Sequence, residues 1–108
     1  HSPIMRYAYD GFKEFISDVA FADPAKEFYS NVTGGRVTSG AELKRLAAEQ
    51  IVSPVRWMDE EAAIAAARYD QLLEAGPGSV LAGLWKSVGS EVPFRSCSTV
   101  DAVASISL

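Results

Sequence analysis

Short runs of β-forming residues alternate along this chain with stretches in which apolar residues recur at helical spacing. The pattern predicts strands near residues 27–32, 70–75 and 92–96, and helices near residues 3–20, 40–52, 57–68 and 79–88, with a short terminal helix from residue 98. Strands separated by helices favour a layered α/β arrangement, because a parallel pair of strands needs a crossover connection. The sequence therefore predicts an α/β fold with short, mainly parallel strands, among them those near residues 27–32 and 70–75.

Capping residues and apolar stripes give these helices their predicted ends and faces. Ser2 before Pro3 is a helix start, and Ser39 with Glu42 three positions later forms a capping box. We expect one broad buried face on the first helix and an inward-facing stripe on the helix after the Gly76-Pro77-Gly78 turn. The first stripe is Met5, Ala8, Phe12, Phe15, Ile16 and Val19, and the second is Val80, Leu81, Leu84 and Val88.

The composition indicates which kinds of partner the chain can bind and in which compartment it works. A chain of 108 residues with net charge -4 and scattered basic residues is unsuited to nucleic acid. No apolar run approaches the ~20 residues that cross a bilayer, so no membrane association is expected. The single cysteine, Cys97, cannot form an internal disulfide, which favours a reducing compartment such as the cytoplasm. We expect it to be a small core residue.

His1 is the only histidine and the main candidate for chemistry. A lone histidine is more often a surface residue than a catalyst, although one beside a capped helix at the edge of an α/β sheet is well placed to exchange protons.

His1 and Cys97 alone do not make a zinc site, so no metal is expected. The acidic run at residues 59–61 is typical of a helix N-terminus. The glycine turn lacks the small residue of a dinucleotide motif, because Leu81 occupies that position.

No nucleophile elbow of the G-x-S-x-G kind is present, so the residues alone predict an α/β piece with one candidate base. Four segments nevertheless resemble malonyl-CoA:acyl-carrier-protein transacylases in order and spacing. They are residues 1–5 (HSPIM), 29–34 (YSNVTG), 50–57 (QIVSPVRW) and 74–81 (EAGPGSVL). The first and third are the more specific of the four.

The resemblance implies that residues 1–108 are the C-terminal part of the large subdomain of an acyltransferase, a hydrolase-like three-layer α/β domain. The nucleophile-bearing N-terminal part and a small ferredoxin-like subdomain would lie outside this chain. The implied activity moves malonyl from coenzyme A to the phosphopantetheine thiol of acyl carrier protein in fatty acid biosynthesis. His1 falls on the family's catalytic base and Gln50 on the residue whose backbone carbonyl orients it, while Met5 and Asn31 match pocket-supporting positions.

The implied partners are acyl carrier protein, malonyl-CoA and the remaining part of the same enzyme. Malonyl-CoA and phosphopantetheine would act as substrates, with no permanently bound cofactor and no assigned cofactor-binding residue. Two alternatives stay open: the equivalent part of a polyketide synthase acyltransferase domain, and a non-catalytic module that binds carrier protein.

Overall fold

The structure, a computed structural model, describes residues 1–106 of the chain. The chain divides into two compact units, residues 1–63 and residues 64–108. The predicted domain spans residues 1–108, and its last two residues lie outside the described part. Across residues 1–106, no helix is long and apolar enough to cross a membrane.

The first unit contains two helices and a β-hairpin, and a third helix crosses into the second unit. In order, its elements are a 3₁₀ turn at Pro3–Met5, α1 at Arg6–Phe15, β1 at Phe28–Ser30, β2 at Gly35–Val37, α2 at Gly40–Glu49 and the start of α3 at Trp57–Ala67. The second unit continues with β3 at Leu72–Ala75, α4 at Val80–Trp85, a 3₁₀ turn at Lys86–Val88, β4 at Phe94–Cys97 and α5 at Val100–Ala104.

The strand near residues 27–32 pairs antiparallel, so the prediction of a parallel strand there was wrong. β1 forms a hairpin with β2, with Phe28 opposite Val37 and Ser30 opposite Gly35. Four residues join the two strands, and a connection this short permits only antiparallel pairing. β2 was not predicted from the sequence: Gly34 and Gly35 are typical of the end of a strand, but here Gly34 closes the hairpin loop and Gly35 begins β2.

The strands of the second unit pair in parallel, as predicted. Leu72 lies opposite Phe94 and Ala75 opposite Cys97, and α4 lies in the connection between the two strands. Such a crossover through a helix is the connection that parallel strands require. The core of the predicted α/β fold is therefore present as a βαβ unit.

The first helix is shorter and more exposed than its stripe predicted. α1 ends at Phe15, because the N–H of Ser17 already bonds to the carbonyl of Glu14 and closes a tighter turn. Ile16 is buried, whereas Phe15 is 79% exposed and Met5 and Val19 are also exposed. The helix that packs on α1 is α2, which covers only the side that carries Ile16.

Each unit has a small core. The first buries Ile16, Val37, Leu46 and Ala48, and the second buries Trp85, whose ring lies at 82° to the ring of Phe94. The prediction that Val80, Leu81 and Leu84 point inward was wrong, since all three are exposed. α4 packs on β4 and buries Trp85, whereas Val80, Leu81 and Leu84 lie outside this contact.

The predicted helix starts are largely correct. The Ser2 hydroxyl accepts from the N–H of Ile4, and the Ser39 hydroxyl accepts from the N–H of Glu42. The terminal helix is capped by Thr99 instead of Ser98, because the Thr99 hydroxyl accepts from the N–H of Ala102.

Cys97 is half-buried on β4, so it is less enclosed than the core residue that the sequence predicts.

Candidate functional site

The His1 ring lies at the C-terminal end of α2. Its Nδ1 is 2.6 Å from the backbone carbonyl oxygen of Gln50. A carbonyl oxygen can only accept a hydrogen bond, so Nδ1 is the nitrogen that carries the proton. In the neutral imidazole the other nitrogen, Nε2, is then an unprotonated acceptor. This is the tautomer that a general base needs.

The end of the helix explains why this carbonyl is free to accept. The final carbonyls of a helix have no intrahelical donor, and here tightened turns use up the earlier ones. The N–H of Ile51 bonds to the carbonyl of Ala48, and the N–H of Val52 bonds to that of Glu49. The next two carbonyls bind the N-terminal segment instead: Gln50 accepts from the His1 ring, and Ile51 accepts from the N–H of Ser2 at 3.3 Å.

The side chain of Gln50 takes no part in this contact. Its Nε2 donates to the carbonyl of Ala47, 3.2 Å away and one turn earlier in α2. The link between Gln50 and the histidine therefore runs through the main chain. Any residue that ends the helix in the same conformation would present the same acceptor.

Contacts at the other end of α2 tie it to the segment that follows α1. The N–H of Gly40 donates to Asp23 Oδ1 at 2.7 Å, and Lys44 Nζ donates to the carbonyl of Ser17 at 2.5 Å. A side chain at Gly40 would fall against the backbone carbonyl of Phe21, so only glycine fits there. These contacts set the position of α2 and so of the carbonyl at its far end.

A cleft of about 220 Å³ opens between the hairpin and α2. Its walls include Phe21 and Leu46, and its polar lining includes Ser30, Asn31 and Gln50. The carbonyl of Asn31 accepts from the N–H of Arg56 at 2.8 Å, which joins the hairpin loop to the start of α3. The structure thus brings Asn31 and Gln50 to one cleft. Met5 is outside its lining and is 42% exposed.

In the second unit, the Gly76-Pro77-Gly78 turn connects β3 to α4. This is the strand-to-helix connection that the sequence predicts. Gly76 and Gly78 both adopt positive φ, at 132° and 89°. The buried carboxylate of Glu74 accepts from the N–H groups of Leu81 and Ala82, each at 3.0 Å. Sequence reasoning missed this cap because the capping residue lies on the preceding strand, several positions from the helix.

Two further carboxylates are buried on α3. Glu60 and Glu61 are 7% and 6% exposed, and each has one oxygen without a hydrogen-bond partner among residues 1–106. Burial raises the pKa of Glu60, because the charged form loses its hydration. Within residues 1–106, no cluster of three or more histidine, cysteine or acidic side chains is arranged to hold a metal ion.

Comparisons with known proteins give a consistent set of relatives, although no protein-family model matches the chain. The chain is 36% identical over 88 residues to the polyketide biosynthesis protein ThaF of Burkholderia thailandensis, covering 82% of this chain and 8% of that protein. It is 34% identical over 88 residues to the malonyl CoA-acyl carrier protein transacylase of Bacillus subtilis, covering 82% of this chain and 28% of the relative.

The fold matches as well. The malonyl-CoA:ACP transacylase of Synechocystis sp. PCC 6803 superposes with a TM-score of 0.88 at 25% identity, over 98% of this chain and 36% of that structure. The chain thus spans about a third or less of the length of the proteins that it matches.

Proposed function

Because this chain is homologous to part of the malonyl-CoA:acyl carrier protein transacylases, we propose that it is the C-terminal part of such an enzyme and supplies its general base. The complete enzyme, meaning the longer transacylase that contains this chain, would move malonyl from coenzyme A to the phosphopantetheine thiol of acyl carrier protein. The observation that carries the proposal is the bond from His1 Nδ1 to the carbonyl of Gln50.

In this proposal His1 Nε2 takes the proton of a serine hydroxyl that another part of the enzyme supplies. The serine oxygen attacks the malonyl thioester carbonyl, and the leaving thiolate of coenzyme A takes the proton back from Nε2, so that coenzyme A departs as a thiol and the imidazole is neutral again. In the second half-reaction the phosphopantetheine thiol gives its proton to Nε2 and attacks the malonyl-serine ester. The proton then returns to the serine oxygen, so the enzyme ends as it began.

The role of Gln50 in this scheme is to hold the ring in one tautomer and one orientation. Its neutral carbonyl leaves Nε2 as the basic nitrogen but adds no charge to the pair. A carboxylate in the same place would stabilise the protonated imidazole more strongly. The weaker acceptor suits a step in which the proton goes to a thiolate, which is a better leaving group than an amine.

The relatives also support a second setting for the same chemistry. Because a polyketide biosynthesis protein is 36% identical to this chain, polyketide synthesis is a second setting for the transfer beside fatty acid synthesis. Both settings use a carrier-protein thiol as the acceptor. We further propose that the enzyme works in the cytoplasm, since the single cysteine of this chain, Cys97, suits a reducing compartment.

The test is transfer of malonyl from malonyl-CoA to a holo carrier protein by the complete enzyme, followed by the mass of the carrier. We expect the carrier to gain one malonyl group, and an apo carrier without phosphopantetheine to gain none. Faster transfer to a polyketide carrier than to a fatty acid carrier would assign the polyketide setting. Binding of the holo carrier without any transfer would contradict the proposal in favour of a non-catalytic binding module.

A further inference from the structure

α1 and α2 pack against each other and are joined by polar contacts at both ends. At one end, Nδ1 of His1, which precedes α1, lies 2.6 Å from the carbonyl oxygen of Gln50 at the end of α2. At the other end, Nζ of Lys44 donates to the carbonyl of Ser17 at 2.5 Å. The start of one helix therefore lies beside the end of the other, so the two helices run antiparallel.

The contact made by Lys44 joins α2 to the turn that ends α1. Ser17 belongs to this turn, because its N–H bonds to the carbonyl of Glu14. The last carbonyls of a helix have no donor within the helix and lie at the negative end of its dipole, so a lysine ammonium is a favourable partner for them. Asp23, by contrast, binds the start of α2 from the loop that follows. Lys44 therefore links α2 to the same helix that follows the candidate base.

The apolar packing between the two helices constrains their axial position less than this hydrogen bond does. Ile16 at the end of α1 and Ala48 on α2 are buried where the helices pack. Apolar contact is non-directional and depends mainly on the area buried, whereas a hydrogen bond weakens steeply with distance and angle. A slide of α2 along α1 would move the Gln50 carbonyl by the same amount relative to the His1 ring.

We propose that Lys44 is a positioning residue for the His1 base. By binding the end of α1, it fixes how far α2 extends along that helix, and so where the Gln50 carbonyl meets the His1 ring. Lys44 lies about 9 Å from Gln50 along the axis of α2, so it acts through the helix and not on the ring itself. The inference rests on the proposed function for the role of His1 as a general base.

Malonyl transfer by the complete enzyme tests the inference with three variants. Lys44→Met keeps a straight side chain without the ammonium, Lys44→Arg keeps a donor, and Lys13→Met removes a cation from the α1 side of the same groove. Since misplacement of catalytic groups by ~1 Å costs ~10²-fold, we expect Lys44→Met to lower kcat by ~10–10²-fold. The KM for malonyl-CoA should not change, and the other two variants should stay near the wild-type rate.

The rate is counted per active serine, from the burst of coenzyme A released as the serine is malonylated. A loss of folded enzyme therefore does not lower it. An unchanged kcat for Lys44→Met would overturn the inference. A loss that Lys44→Arg does not restore, or an equal loss in Lys13→Met, would also overturn it.

Nitrogen NMR of the histidine rings in the complete enzyme gives a readout that does not depend on transfer, with the His1 signals identified by their loss in His1→Ala. In the wild type we expect a protonated Nδ1 and an unprotonated Nε2. Lys44→Met should give a mixture of both tautomers, and an unchanged His1 spectrum would overturn the inference even if the rate falls. If the wild-type enzyme transfers no malonyl, a change of tautomer in Lys44→Met would still support the positioning role, and the proposed function alone would fail.

Discussion

The backbone carbonyl of Gln50 lies 2.6 Å from Nδ1 of His1, at the position where α2 stops using its own carbonyls. The orientation of the His1 ring therefore depends on where α2 ends. Because the acceptor belongs to the main chain, substitutions that move the helix end should matter more than substitutions of the glutamine itself.

A comparison of Gln50→Ala with Pro54→Gly in the complete enzyme separates these two effects. Alanine keeps the backbone acceptor and removes only the amide that bonds to Ala47, so malonyl transfer should remain near the wild-type rate. Glycine at position 54 frees the chain after the helix, since proline restricts the residue before it. Misplacement of catalytic groups by ~1 Å costs ~10²-fold, so Pro54→Gly should have the larger effect on kcat. The reverse ranking would assign the role to the glutamine side chain.

The hairpin offers a matched pair of glycines, Gly34 at the end of its loop and Gly35 at the start of β2. Gly34 has a φ of 70°, and a Cβ there would lie 2.5 Å from the Cβ of Asp59, whereas a Cβ on Gly35 would meet nothing within 4 Å. Gly34→Ala should destabilise the chain by about 1–3 kcal/mol through its backbone conformation alone, and the clash adds to this. Gly35→Ala should change little. Chemical denaturation of both variants checks the difference, and equal stabilities would contradict it.

Glu74 should contribute to stability as the cap of α4. Glu74→Ala leaves the N–H groups of Leu81 and Ala82 without their acceptor, and loss of such a cap costs about 1–2 kcal/mol. The control is Glu91→Ala, because Glu91 is exposed. Thermal unfolding should show a lower melting temperature for the first variant only. A loss of similar size in the control would mean that the effect is one of overall charge.

The buried carboxyl of Glu60 predicts a particular dependence on pH. Its pKa is raised in the folded chain, so between the ordinary and the raised value the folded state binds more protons than the unfolded state. The contribution of Glu60 to stability is therefore greatest below its ordinary pKa and is lost as the pH rises through the raised one.

The substitution Glu60→Gln removes this titration. It should raise the melting temperature at pH 7 by more than it does at pH 4. Glu14 lies exposed on α1, so Glu14→Gln should show no such difference between the two pH values. A gain from Glu60→Gln that is the same at both pH values would contradict the assignment.

Helix caps and turns were predicted correctly where the residues that form them lie close together in the sequence. Ser39 and Glu42 marked the start of α2 correctly, and the run before the Gly76-Pro77-Gly78 turn is a parallel strand, because caps and turns are set within a few positions. The hairpin was missed although the adjacent Gly34 and Gly35 are visible in the sequence. Its strands are only three residues long, so period-two alternation gave little signal.

The burial of side chains was predicted less well, for a different reason. An apolar stripe shows which side of a helix avoids water, but it does not say whether this chain supplies the covering element. Phe15 and Val80 fit their stripes and are 79% and 70% exposed, while Trp85 lay outside the predicted stripe and is buried. The His1–Gln50 pair joins residues 49 positions apart. It was found through the resemblance of two segments, because spacing alone does not relate residues so far apart.

The most direct test of the account is the rate of malonyl transfer by the complete enzyme after His1→Ala. The substitution removes the group that we propose activates the serine and later takes the thiol proton, and loss of a general base costs ~10²–10⁴ in rate. Ser2→Ala serves as the control, since it removes only a hydroxyl that caps the following turn. We predict a fall in kcat within that range for His1→Ala and a rate near wild type for Ser2→Ala. Near-wild-type turnover by the His1→Ala enzyme would contradict the central claim.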